Sequence, residues 1–89
     1  MEKPERNLLR TFWGCGDDGI IEYAMHRARL TKPEKEVLLR LLDECETQEE
    51  AAEHMDLSTR RIQEIWYAAS DKLLRLPWLV AYAKELRKE

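Results

Sequence analysis

The sequence predicts an all-α fold, a small helical bundle of about five helices. The 89 residues contain only three glycines and three prolines, too few for the many tight turns of a β-protein. Apolar residues recur at helical spacing, and hydroxyl or carboxylate residues precede several of these stretches, where helix N-termini are expected. Strand-like alternation of apolar and polar residues is not seen.

The composition indicates one soluble domain over residues 1–89. Hydrophobic residues make up 44% and charged residues 37%. This balance is too apolar for a disordered chain, and charges interrupt every stretch before the roughly 18 apolar residues of a membrane span. The charged N-terminus is not followed by an apolar segment of signal-peptide length. Two cysteines cannot form a disulfide framework, which favours a cytoplasmic location.

Residues 1–29 are interpreted as an N-terminal helical extension. The stretch Glu5–Trp13 has the spacing of a short helix, with Leu8, Leu9, Phe12 and Trp13 on one side. The glycine-rich residues 14–19 are expected to stop it. Asp17 or Asp18 can then cap a second helix over Gly19–Arg29.

Two capping boxes mark the next helices, because each places a threonine three residues before a glutamate. Thr31 and Glu34 open a helix that is expected to run to about Glu44, with a buried stripe at Val37, Leu38, Leu41 and Leu42. Thr47 and Glu50 open a shorter helix whose inward residues are Ala51, Ala52 and Met55.

The longest helical pattern follows a turn at residues 56–58 and runs from Thr59 to about Leu76. Its predicted buried face consists of Ile62, Ile65, Trp66, Ala69, Leu73 and Leu76. Pro77 is expected to end it, because the residue before a proline avoids the α-helical conformation. A C-terminal amphipathic helix over residues 77–89 completes the chain.

The short helix, the three-residue turn and the long helix together form the pattern of a helix-turn-helix. Alanines on the short helix allow the long helix to cross close to it, and the outer N-terminal face of the long helix is then free to enter a DNA major groove.

Three segments in register carry a resemblance to a known family. Residues 30–38 (LTKPEKEVL), 47–55 (TQEEAAEHM) and 57–62 (LSTRRI) resemble region four of bacterial sigma factors, and also LuxR-type DNA-binding domains. The resemblance covers residues 30–76 and implies sequence-specific DNA binding in transcription regulation, with a recognition helix over about 59–75. Asp56 stands where the turn usually has glycine, and aspartate tolerates the left-handed conformation better than most residues.

This orientation predicts the residues that would contact double-stranded DNA. Arg60, Gln63, Glu64 and Tyr67 would face the bases, with arginine suited to guanine, glutamine to adenine and glutamate to cytosine. Thr59, Arg61 and Lys72 would contact phosphates or remain solvated. The alternative is an ordinary charged surface helix.

Other chemistry is not expected. Gly14, Gly16 and Gly19 have the spacing of a dinucleotide-binding loop but lack the preceding strand that it requires. The two histidines and two cysteines lack zinc-ligand spacing. Cys45 is predicted to be a small buried residue and His54 to be solvated. We therefore expect no enzyme activity, no cofactor and no metal.

The charge distribution keeps a second function open. Residues 31–56 carry three basic and nine acidic side chains, net −6, whereas residues 57–76 are net +2. An acidic segment repels phosphate, so a protein-interaction module that binds RNA polymerase or another regulator is the alternative. A terminal helix on so small a domain can lack a surface of its own chain to pack on, which makes Trp78, Tyr82 and Leu86 candidate contacts of a homodimer or of another partner.

Overall fold

The computed structural model describes residues 7–15 and 17–87, and this part of the chain forms six helices. The all-α prediction is confirmed, but the predicted number of about five helices is wrong by one. The helices are α1 (Asn7–Cys15), α2 (Asp18–Arg27), α3 (Lys32–Leu38, continued by a π-helical segment, Leu39–Asp43), α4 (Gln48–Met55), α5 (Thr59–Leu74) and α6 (Pro77–Arg87).

The first helix runs further than the glycine-rich stretch predicted. α1 continues through Gly14, whereas Glu5 and Gly16 lie outside the described residues. A side chain at Gly14 would meet no atom within 4 Å, so this glycine occupies an open surface of the last turn. Its cost of about 1 kcal/mol relative to alanine is smaller than the gain from burying Phe12 and Trp13 in the same helix.

The second helix has the predicted aspartate cap but ends earlier. The Oδ1 atom of Asp17 accepts a hydrogen bond from the Ile20 N–H at 2.9 Å, which satisfies a first-turn donor. α2 stops at Arg27 rather than Arg29, and Arg29 adopts a positive φ of 55° that turns the chain towards α3.

Both predicted capping boxes are confirmed. The Thr31 hydroxyl accepts from the Glu34 N–H at 3.3 Å, and the Glu34 carboxylate accepts from the Thr31 N–H at 2.8 Å. The same reciprocal pair joins Thr47 and Glu50 at 3.1 and 2.9 Å. These side chains fix where α3 and α4 begin.

The helix after Thr31 has the predicted extent but not a single geometry. From Leu39 to Asp43 it is π-helical, and the Glu44 N–H donates to the Leu39 carbonyl five residues back at 3.0 Å. Cys45 follows with a positive φ of 56° and is exposed, so the prediction that it is buried is wrong. This conformation ends the helix and turns the cysteine away from the core.

α3 and α4 both pack on α5, which is the central helix. Ala51 and Ala52 are buried and let α4 lie close to α5. The turn contains Asp56 in the left-handed conformation (φ 58°, ψ 45°), as predicted, and the Ser58 hydroxyl caps α5 by accepting from the Arg61 N–H at 3.1 Å. The predicted inward residues of α5 are buried, except for the half-buried Leu76, which lies beyond the end of the helix.

The C-terminal helix packs on the first helix, so it does not lack a surface of its own chain. Leu79 and Ala83 of α6 are fully buried. The Phe12 ring of α1 lies 6.4 Å from the Trp78 ring and 5.8 Å from the Tyr82 ring, in edge-to-face arrangements. The two ends of the chain thus complete one core, because α1 also packs against the π-helical segment.

Candidate nucleic-acid interface

The first turns of α5 present a row of polar side chains away from the core. Ile62, Ile65 and Trp66 point inward and are buried. Helical geometry therefore turns Arg60 and Glu64 to the opposite side, where their side chains are 89% and 53% exposed. This outer face is accessible to a large partner.

Six of the seven predicted contact residues lie together in residues 59–67. Thr59, Arg60, Arg61, Gln63, Glu64 and Tyr67 are all exposed. Lys72 lies apart from them, on the side of α5 that faces α3, and its Nζ atom is 2.8 Å from the Glu34 carboxylate. A cation held in this way is less available to a phosphate than the two arginines are.

Glu64 lies between the two arginines. Its carboxylate is 3.8 Å from the Arg60 Nε and 3.3 Å from the Arg61 Nη1. Exposed pairs of this kind contribute only about 0–1 kcal/mol to stability. Because they are weak, a DNA phosphate or base can replace Glu64 as the partner of either guanidinium at small cost.

A surface depression of about 520 Å³ separates the N-termini of α4 and α5. It is lined by Thr47, Gln48, Glu49, Thr59 and Gln63. Across it the Gln63 Nε2 donates a hydrogen bond to the Gln48 Oε1 at 2.9 Å. Gln48 was not predicted from the sequence, because no local signal links two polar residues that are fifteen positions apart and meet only when α4 packs on α5.

The first turns of both helices flank this depression. The Thr47 and Ser58 hydroxyls each accept one first-turn N–H, and the other first-turn donors give the helix ends a partial positive charge. Anions are favoured at such ends. Glu49 and Glu50 stand in the first turn of α4 and oppose an incoming phosphate there, whereas α5 has no acidic residue in its first turn.

The acidic side of the molecule is organised by Arg40. Its guanidinium contacts Glu36 at 3.0 Å and Glu46 at 3.2 Å, and Glu46 also contacts His54 at 3.1 Å. Partial burial opposes ionisation of Glu46, but the contacts with His54 and Arg40 outweigh it and lower the pKa of that carboxyl. His54 is exposed, as predicted, and in addition contacts Glu46 through its Nδ1 atom.

Two further observations concern metal ligands and membrane-spanning helices. In the described residues, no cluster of three or more histidine, cysteine, aspartate or glutamate side chains is arranged to hold a metal ion. Among the same residues, no helix combines the length and the apolar character that crossing a membrane requires. Comparison of the chain with protein-family models, with curated proteins and with solved structures found no match.

Proposed function

We propose that the protein is a sequence-specific DNA-binding regulator of transcription that places the N-terminal half of α5 in the major groove. The observation that carries this proposal is the cluster of exposed residues at 59–67, which no other helix in the described part of the chain covers and which lies beside the N-terminus of α4. A short helix, a three-residue turn and a longer helix supply the helix-turn-helix arrangement that this docking uses.

Three side chains have the chemistry to read bases. The Arg60 side chain is 89% exposed and can donate two hydrogen bonds to guanine O6 and N7. Gln63 can pair its amide with adenine N6 and N7, and Glu64 can accept from cytosine N4. A helix that enters the groove by its N-terminal end brings all three to the base edges.

The remaining predicted residues are suited to contact the sugar–phosphate backbone of the DNA. Thr59 and Arg61 flank the base-reading row and can donate to phosphates, and Tyr67 can donate from its hydroxyl one turn further along. Lys72 contributes less than the sequence suggests, because its ammonium group is engaged with Glu34. RNA polymerase is the protein partner implied by the resemblance to sigma region four.

The test is selection of bound duplexes from a random pool, followed by affinity measurements at two salt concentrations. The double variant Arg60→Ala/Gln63→Ala should lose the selected preference, since each lost bidentate contact removes about 1–3 kcal/mol of discrimination. Its thermal stability should stay nearly unchanged, because both side chains are exposed.

Arg27→Ala is the matched control, because it removes one exposed positive charge from the last turn of α2 and leaves α5 intact. It should retain the wild-type preference. Absence of selection by the wild-type protein at low salt would contradict the proposal, and unfolding of the double variant would contradict the assignment of the outer face.

An interaction module is the second candidate, and one observation favours it. Both arginines at the start of α5 are already paired with Glu64, and most of the acidic residues of segment 31–56 are exposed. In that case the wild-type protein binds no duplex and a pull-down recovers RNA polymerase or another regulator. A homodimer through Trp78, Tyr82 and Leu86 loses its original motive, because Trp78 and Tyr82 contact Phe12 of their own chain.

A further inference from the structure

The hydrogen bond between Gln63 and Gln48 joins a predicted base-reading residue to a neighbouring helix. Gln48 is the first residue of α4, and the capping box of Thr47 and Glu50 fixes the backbone on either side of it. Its side chain is half-buried, whereas that of Gln63 is exposed. The more constrained partner therefore holds the freer one.

We propose that Gln48 is a positioning residue that orients the Gln63 amide for adenine, and this proposal rests on the DNA-binding function proposed above. Gln63 donates one Nε2 hydrogen to the Gln48 Oε1 at 2.9 Å. The second Nε2 hydrogen and the Oε1 atom remain as one donor and one acceptor. Adenine offers the complementary pair in the major groove, an acceptor at N7 and a donor at N6.

The hydrogen bond couples the orientations of the two amides, because the pair is kept only when both have matching orientations. Rotating the Gln63 amide by half a turn would place its oxygen against the Gln48 oxygen, two acceptors without a hydrogen between them. Ordering a long side chain before the ligand arrives also removes part of the entropy that binding would otherwise cost. Gln48 thus increases discrimination for adenine without contacting the base.

Two variants of Gln48 separate this role from a merely structural one. Gln48→Met keeps the length of the side chain but removes the acceptor. Gln48→Glu keeps an acceptor oxygen and adds a negative charge, which is favourable in the first turn of a helix. Both proteins should unfold at nearly the wild-type temperature, because substitutions at the surface have small effects on stability.

The measured quantity is a ratio of dissociation constants. One A·T pair of the selected site is identified as the pair whose preference is lost in Gln63→Met. The wild-type site is then compared with the same site carrying G·C at that pair. Wild-type protein should discriminate about tenfold or more between the two duplexes. Gln48→Met should reduce this ratio at least about threefold, whereas Gln48→Glu should keep the ratio while weakening both affinities through repulsion of phosphate.

The double variant Gln48→Met/Gln63→Met provides the coupling test. Its ratio should be no lower than that of Gln63→Met alone, because Gln48 acts through Gln63. If Gln48→Met keeps the full ratio, or weakens both duplexes equally, Gln48 has no positioning role and the proposal is overturned.

The two proposals fail in different ways. If the wild-type protein shows no sequence preference, or if Gln63→Met keeps every preference, then Gln63 does not contact an adenine and Gln48 has no role in positioning it. Loss of one preference in Gln63→Met together with an unchanged ratio in Gln48→Met overturns the role of Gln48 alone.

Discussion

The ion pair between Lys72 and Glu34 joins the first turn of α3 to the last turn of α5, and Lys72→Met tests what it contributes. The two charged atoms are 2.8 Å apart. Methionine keeps most of the aliphatic stem that packs beside α3 and removes the ammonium group. The change therefore isolates the charge from the packing.

The expected cost is about 1.5 kcal/mol in the free energy of unfolding, between the values for exposed and for buried pairs. Exposed pairs are worth about 0–1 kcal/mol, and removing one partner of a fully buried pair costs about 3–5 kcal/mol. The Glu34 side chain is 10% exposed and the Lys72 side chain 37%, so solvent screens this pair in part. Glu34 also keeps its hydrogen bond from the Thr31 N–H, which leaves the carboxylate partly compensated.

The contribution of the pair depends on pH. Burial opposes ionisation of Glu34, but the hydrogen bonds from Lys72 and from the Thr31 N–H outweigh it, so the pKa of Glu34 lies below its ordinary value of 4.5. The unfolded chain then takes up the proton at a higher pH than the folded protein does. The stabilisation is complete above the ordinary value and is lost as the pH falls through the lowered one.

Urea unfolding followed by tryptophan fluorescence measures the effect at about pH 7 and at about pH 3. With a slope of about 1.5 kcal/mol per molar urea, a loss of about 1.5 kcal/mol moves the midpoint by about 1 M. The difference between wild type and Lys72→Met should shrink towards zero at the lower pH.

Glu34→Gln is the matched background, because glutamine can still accept from the Thr31 N–H but carries no charge. There, Lys72→Met should cost less than about 0.5 kcal/mol. An equal cost in both backgrounds, or an equal cost at both pH values, would show that Lys72 stabilises the fold through its stem rather than through Glu34.

Two further changes test the turn and the C-terminal helix. Asp56→Gly should stabilise the protein by about 0.5–1 kcal/mol, because glycine adopts the left-handed conformation without strain. The change also removes a negative charge from the end of α4. The control Glu53→Gly, inside the same helix, should destabilise the protein by about 1 kcal/mol. Leu79→Ala should lower the free energy of unfolding by about 2–5 kcal/mol, since Leu79 is fully buried in the core. Val80→Ala should lower it by less, because Val80 is only half-buried. Both pairs of variants are measured by urea unfolding. A destabilising Asp56→Gly would show that Asp56 is not strained in the turn, and a neutral Leu79→Ala would show that Leu79 does not support the core.

Local signals predicted the helix starts well because capping is local chemistry. Thr31, Thr47 and Ser58 each lie within three residues of the N–H that they cap, so the sequence contains the whole interaction. The left-handed Asp56 was implied by the resemblance, in which the turn usually has glycine at this position, and aspartate tolerates that conformation.

Long-range features could not be predicted in this way. Cysteine is a small residue type that is often buried, so Cys45 was expected in the core. Its exposure follows from the path of the chain after the π-helical segment. The pairing of α1 with α6 depends on residues at opposite ends of the chain. The contacts of Lys72 with Glu34 and of Gln63 with Gln48 join residues 38 and 15 positions apart on different helices. The apolar periodicity of a helix shows which face is buried, but not which other helix packs against that face.

The charge of the folded protein bears on how the proposed regulator would reach DNA. Glu34, Glu36 and Glu46 are engaged with cations and Glu50 with a cap, but segment 31–56 remains net −6. Arg60 and Arg61 are the two cations of the 59–67 row that can neutralise a phosphate, whereas Thr59 carries no charge. Each phosphate neutralised adds about −0.9 to the salt slope. So few contacts give weak binding by a single copy. Stable binding at a promoter then requires a second protein on the same DNA, either another copy of the chain or the polymerase. For the isolated protein, two neutralised phosphates imply a salt slope of about −2.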